Sequence, residues 1–505
     1  MGLLDLPLEV IDEIISLTLP VGIESFALSC KAINARAGPQ IKRHNAYKRR
    51  WRHALIVGNP QVSALRAIAE IADDSLAAEY VESLHLRVPN TVMAAHGGGA
   101  NIQQPHAHMQ KVAALVAASA IDQQLRIDPS EWWEAIENES TSEPMSPTEY
   151  SYEDSLFTTV ALIDHLPNLN TLQLSPAWSD FQPLQDAHQE QTQKLGAILD
   201  ALVENANRYP DSNIPLSRLH TILPFMSEGY EERAGLQTLL PFLELTGLKE
   251  LFLISCLAVD DNYTGIPFRW RSPDAVSSLT RMELAYCCMD ADGLSQLVSH
   301  TPQLQVFRYS HQTKWHGCQH DWNPGTFVEV LARYCGKTLK DLAITIDDLF
   351  GEIENGASSF LSLPHLVYLE VDVLIFCGPP VESGQRRGMA GSPPTGQKPW
   401  APIDIPCIGS MLPDNVVEVQ INTDFPEPDE SALRALLKNI RTQRQERLKK
   451  LETVVIRQQD ANSGQVLADE SGVVLDVFDV EGAPRSMMPN WKRQFEQRVG
   501  GIHFT

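Results

Sequence analysis

The closest approach to a metal centre in this sequence is a set of four side chains in ten residues. They are His311, His316, Cys318 and His320, in the stretch HQTKWHGCQH. Imidazole and thiolate are the usual zinc ligands, but zinc sites pair their ligands at set spacings. No second Cys/His pair stands at finger distance from this Cys-x-His. The stretch reads as a polar loop. The segment GSPPTGQKP at 391–399 imitates a phosphate-binding loop and misses it. Gln follows the second glycine, no Ser or Thr follows the lysine, and Pro-rich chain stands where a strand-to-helix turn is needed. No G-x-S-x-G elbow, H-E-x-x-H helix or G-x-G-x-x-G turn occurs. The expectation is a non-enzymatic chain with no catalytic residue, no metal and no cofactor. The eight cysteines are scattered, form no C-x-x-C pair, and read as free thiols, with Cys30, Cys256 and Cys335 inside apolar patterns.

At 505 residues the chain exceeds one ordinary core, so several units or an elongated array are expected. Apolar content of 43% and charged content of 21% suit a folded soluble protein. The acids Asp5, Glu9, Asp12 and Glu13 at the start argue against a leader peptide, and the apolar run at 112–121 is too short to span a bilayer. A location in the cytoplasm, the nucleus or both is expected, with no membrane partner. The net charge of -24 is uneven: residues 1–60 hold eight Lys/Arg against five Asp/Glu, the remainder 32 against 59. An acidic body does not bind nucleic acid by counterion release, which argues against that partner.

The elements that would position any interaction begin at residues 3–33, LLDLPLEVIDEIISLTLPVGIESFALSCKAI. Pro7 suits a first helical turn, and Glu9 places an acid at the positive end of the dipole. At 100° per residue, Leu8, Val10, Ile11, Ile14, Ile15 and Leu17 cover an arc of roughly 180–200°, wider than one hairpin contact requires. A second helix starts near Ile23, and a third covers 31–37, closed by Gly38-Pro39. Three such short helices cannot bury their own aliphatic surplus, worth roughly 8–15 kcal/mol at the upper bound. Either the rest of the chain or a partner must cover it.

Leu6-Pro7-x-Glu9-Val10-Ile11, then Ile14-Ile15, then Leu28-Ser29-Cys30-Lys31 resembles an F-box, the helical module that docks on a Skp-type adaptor. The likeness covers about 45 residues; the Trp common shortly after the Cys-Lys pair is absent, with Ile33 nearby. The following segment, 41–53, resembles the basic helix after the box in many filamentous-fungal F-box proteins. The resemblance implies a substrate receptor of a Skp–cullin–F-box ubiquitin ligase, with Leu6, Pro7, Val10, Ile11, Ile14, Leu28 and Cys30 facing or supporting the adaptor. On the residues alone, Lys42, Arg43, Lys48, Arg49, Arg50 and Arg52 form a solvated face attracted to the acidic body, packed through Ile41, Tyr47 and Trp51.

Beyond residue 60 a leucine ladder recurs ahead of short strands. The best copy is Leu245-x-x-Leu248-x-x-Leu251-x-Leu253-x-x-Cys256, a leucine-rich pattern. Val276-x-x-Leu279-x-x-Met282-x-Leu284-x-x-Cys287 and Leu363-x-x-Leu366-x-x-Leu369-x-Val371 follow it closely. Strands at Leu251, Met282, Phe307, Leu342 and Leu369 succeed one another at intervals that suit one strand plus one helix. Helical patterns fall at 156–165, 193–208, 292–300, 327–335 and 431–443. The expected fold is therefore α/β: a three-helix F-box at 1–38, a basic connecting helix at 39–57, and an irregular leucine-rich-repeat-like solenoid with a parallel sheet at 58–505. Inserts are expected near 89–105, 137–152 and 378–398, the second open to phosphorylation.

Strand alternation places Phe252, Glu283, Arg308 and Glu370 on the concave side as candidate contacts for a protein target. The reading is a recognition subunit that reaches a cullin through the adaptor and holds a target near the ubiquitin-charged enzyme. The alternative is an interaction scaffold whose N-terminal helices cap its own array.

Overall fold

The computed structural model describes residues 3–57, 60–87, 106–119, 156–181, 190–259, 266–314, 321–375, 404–422, 434–458, 465–477 and 488–500, with short pieces at 128, 130–134, 136, 378 and 386. The chain forms two compact units, Met1–Phe225 and Met226–Thr505. The inserts at 89–105 and 137–152, nearly all of that at 378–398, and His316, Cys318 and His320 lie outside the described residues.

The first unit opens with three helices, α1 (Leu8–Leu17), α2 (Ile23–Ser29) and α3 (Lys31–Trp51). Pro7 stands at the N-cap of α1, its carbonyl accepting from the Val10 and Ile11 amides at 3.0 and 3.1 Å. Cys30 caps α3, its Sγ accepting from the Ile33 amide at 3.5 Å. Ile11, Ile15, Ile23, Ala27, Ile33 and Ala37 form a small core of their own.

Gly38-Pro39 does not close the third helix; α3 runs through both. A proline inside a helix forfeits one ladder bond and costs about 3 kcal/mol. Anchors on both sides offset that cost: Ile33 and Ala37 before it in the helical core, and buried His44 after it. His44 lies 2.8 Å from the Tyr80 hydroxyl and 3.1 Å from Glu24. The connecting helix expected at 39–57 is therefore the second half of α3, and residues 53–57 are strand. There the sequence alternates, with Ala54 buried and Leu55 exposed.

Strands β1 (His53–Val57), β2 (Ser83–Arg87), β3 (Thr171–Gln173) and β4 (Thr221–Leu223) pair in parallel in that order. Helices α4 (Pro60–Asp73), α5 (Leu156–Ile163) and α6 (Glu190–Arg208) lie between them in the chain.

In the second unit β6 (Glu250–Ile254), β8 (Arg281–Met289), β9 (Val306–Gln312), β10 (Asp341–Asp348), β11 (Tyr368–Asp372), β12 (Glu418–Asn422), β13 (Thr453–Gln458) and β14 (Val474–Val477) follow one another, all parallel. Short β5 (Ala234–Gly235) and β7 (Cys256–Ala258) pair beside the far end of β8. Helices α7 (Ala291–Val298) and α8 (Pro324–Cys335) start where the sequence provides caps: Asp290 accepts from the Gly293 amide at 2.6 Å, and Asn323 from the Thr326 amide at 3.0 Å. A Cβ on Gly293 would fall 1.9 Å from the Ala258 carbonyl oxygen, so only glycine lets α7 approach β7 this closely. Helix α9 (Asn490–Val499) comes last.

Strand entry is repetitive. The carbonyl just ahead of one strand accepts from two successive amides at the head of the next. In the first unit Arg52, Glu82 and Asn170 do so in turn; in the second Lys249, Thr280, Gln305, Lys340, Val367 and Val417 do. This keeps the apolar positions in register: Leu251, Met282, Phe307, Leu342, Leu369, Val419 and Val454 stand side by side, all buried. Val276 is a correction to the ladder read from sequence. It is 58% exposed, and the first buried apolar residue of that stretch is Leu279.

Candidate protein-interaction faces

Two faces stand out, one in each unit. In the first unit the aliphatic surplus of the opening helices stays outside. Leu8 is 55% exposed, Leu17 74%, Val21 85% and Leu28 79%, with Leu4 and Val10 also exposed. The seven residues expected to face or support an adaptor divide by depth. Pro7, Val10 and Leu28 are exposed, Leu6, Ile14 and Cys30 half-buried, and Ile11 is sealed in the helical core. Ile11 supports the face rather than forming it. On the surface of the bundle Arg36 donates two bonds to Asp12 at 2.6 and 2.7 Å.

The basic half of α3 meets acids of its own unit. Arg43 pairs with Asp74 at 2.5 Å, Lys48 with Glu24 at 2.9 Å and Arg52 with Glu82 at 2.9 Å, and Arg50 contacts Glu70. Hydrogen bonds from Lys48 and His44 hold the Glu24 carboxyl below its usual range. These groups line part of a cleft of about 420 Å³, together with Tyr80, Asn168 and Arg218.

The second face is polar. Strand register puts Phe252, Glu283, Arg308 and Glu370 in one row across β6, β8, β9 and β11, with Ala343 of β10 between the last two. The opposite face of the same strands is apolar and meets α8: the Phe307 and Phe327 rings lie 6.2 Å apart and those of Tyr309 and Phe327 4.8 Å. The row of four is buried, and helix α9 touches each member.

The Phe495 ring lies 6.1 Å from Phe252. Arg498 contacts Glu283, whose Oε1 also accepts from Arg281 at 2.5 Å. Arg308 donates to Gln494 at 2.8 Å and grips Asp341 with two bonds at 3.1 and 2.7 Å. Glu370 accepts from the amides of Asn490 and Trp491 at 2.7 and 2.9 Å, a carboxylate set at the positive end of α9. Two residues along β10 from Ala343, on the same face, Thr345 accepts from the Trp491 indole at 3.1 Å. Lys492 contacts Asp347 and stands 3.3 Å from the centre of the Tyr286 ring.

Burial raises the pKa of Glu283 and Glu370 and lowers that of Lys492, because each charge is taken out of water. Burial also works against the charge of Arg308, yet the Asp341 bonds hold its pKa above the ordinary value. Sequence reasoning missed Thr345, Asp347 and the whole of α9. Its pattern, Trp491, Phe495 and Val499 with basic residues between, could have marked an amphipathic segment.

Among the described residues, no group of three or more His, Cys, Asp or Glu side chains could hold a metal ion. His311 instead stacks on Trp322 at 4.4 Å and lies 2.8 Å from the Tyr309 hydroxyl. Cys256, Cys287, Cys288 and Cys335 are buried free thiols, and burial pushes Cys335 up to about 12. Trp132 is buried. Among the described residues no helix is long and apolar enough to cross a membrane. No protein-family model matches the chain, and no curated protein matches it.

Proposed function

We propose that this chain is a non-catalytic substrate receptor of a Skp–cullin–F-box ubiquitin ligase. In this reading the opening helices dock on a Skp-type adaptor and the strand–helix body, a leucine-rich-repeat-like solenoid, holds a protein target. The observation that carries the reading is the exposure of Leu4, Leu8, Val10, Leu17, Val21 and Leu28 within the segment that holds the F-box-like pattern. Large aliphatic groups exposed together in one short segment favour a protein partner. The recurring strand-entry hydrogen bonds support the repeat reading of the body. The ligase role needs no bond-making residue, since holding target lysines near a charged enzyme raises their effective concentration.

The capping alternative has one observation in its favour. The far half of α3 packs on its own unit through His44, Tyr47 and Arg43 against Tyr80 and Asp74. That contact involves α3 alone and leaves the exposed side chains of α1 and α2 uncovered. The test is co-elution with a purified Skp-type adaptor on a sizing column. The wild-type chain is expected to form a complex, and Val10→Asp/Leu28→Asp to lose it at unchanged helix content. Absence of a wild-type complex, or equal binding by the double variant, sinks the assignment.

A further inference from the structure

We infer that the polar face of the second unit is a groove for a short basic amphipathic helix, and that α9 occupies it as a tethered internal ligand. A target helix carrying aromatic–Lys–x–x–aromatic–x–x–Arg would then have to displace α9. The inference rests on reading the second unit as the target-binding body; it does not depend on the adaptor.

One strand alternation supplies Leu251, Met282, Phe307, Leu342 and Leu369, and the other Phe252, Glu283, Arg308 and Glu370. Both rows are buried, but only the first has the composition of a permanent core. Burying carboxylates and guanidinium groups carries a desolvation penalty that well-packed apolar side chains avoid. A face that must also stand open to water has to be polar.

The charges of the two sides match. Glu283, Asp347 and Glu370 on the sheet receive Arg498, Lys492 and the amide end of α9. Two apolar anchors, Trp491 and Phe495, are fully buried in the contact, as binding hot spots are. At 10 residues α9 is too short to be stably helical alone, so the groove supplies its order. Capture of its first two amides by Glu370 fixes where the helix starts on the sheet.

The test uses the full chain and a fluorescent peptide of sequence 488–500. Trp491→Ala/Phe495→Ala in the chain weakens the internal ligand while leaving the groove side chains in place. This variant is expected to unfold cooperatively like wild type and to bind the peptide at least about tenfold more tightly than wild type does. The peptide with its own Trp replaced by Ala should not bind. A folded variant that ignores the peptide overturns the inference, and so does a variant whose body no longer folds, since α9 is then core.

Native-state hydrogen exchange on the unaltered chain provides a second arm. The amides of 492–499 should open without those of 342–346 and 369–371; exchange only in step with those strands also overturns it. Adaptor co-elution run on the same variant separates the two readings. Lost peptide binding with adaptor binding intact sinks only the groove, and the reverse sinks only the ligase assignment.

Discussion

The opening helices and the polar face of the second unit solve opposite problems. The first presents aliphatic side chains to water, with its ion pairs on the surface: Arg36 with Asp12, and Lys48 with Glu24. The second hides charged side chains beneath a helix of the same chain. Aliphatic surface left in water adds nothing to folding and yields stabilisation only where something covers it. Buried charge is tolerable only while each group keeps either its partner or water. The difference teaches that depth, and not residue type, decides what each face contributes to folding.

Three measurements sharpen or break this contrast. The largest effect should come from Glu283→Ala, which removes the carboxylate shared by Arg281 and Arg498 and facing Arg308 at 3.9 Å. A loss of about 3–5 kcal/mol in urea unfolding is expected. A loss below 1 kcal/mol would show that the buried network contributes no more than a surface pair.

The second is a pH effect at Lys314, which is buried and donates to the Gly229 carbonyl, Ser255 and Gln312 at 2.5, 2.8 and 2.6 Å. Burial lowers its pKa from 10.5 to about 8. Its contribution to stability is therefore fully present above 10.5 and lost as pH falls through 8. Between those values the unfolded chain holds a proton that the folded chain does not. Relative to Lys314→Met, the wild type should gain about 2 kcal/mol between pH 8 and 9.5. A flat difference across that window contradicts the assignment.

The smallest effect belongs to Asp12→Ala. It breaks the bidentate pair with Arg36 on the surface of the opening bundle. A stability change under about 1 kcal/mol is expected by thermal melting. A change as large as that of Glu283→Ala would erase the distinction between the two faces.

Much of the framework was legible in the residues. The leucine ladder marked β6, β8, β9, β10 and β11, because a period-two apolar pattern is local. Strand alternation also put Phe252, Glu283, Arg308 and Glu370 on a common face. The end of the third helix was not legible. Gly38-Pro39 is a stop signal by local propensity, and the packing of Ile33, Ala37 and His44 overrides it. Nor was the occupant of the polar face, since α9 lies more than a hundred residues beyond most of the strands that it meets.

The sequence by itself determined the α/β class, the parallel strand repeat and an aliphatic surplus at residues 3–33, all of which follow from periodicities a few residues long. Only the tertiary structure decided that this surplus stays exposed while the charged row is closed over. Both outcomes depend on which distant segment comes to lie against a face, and no local pattern encodes a pairing between residues 283 and 498.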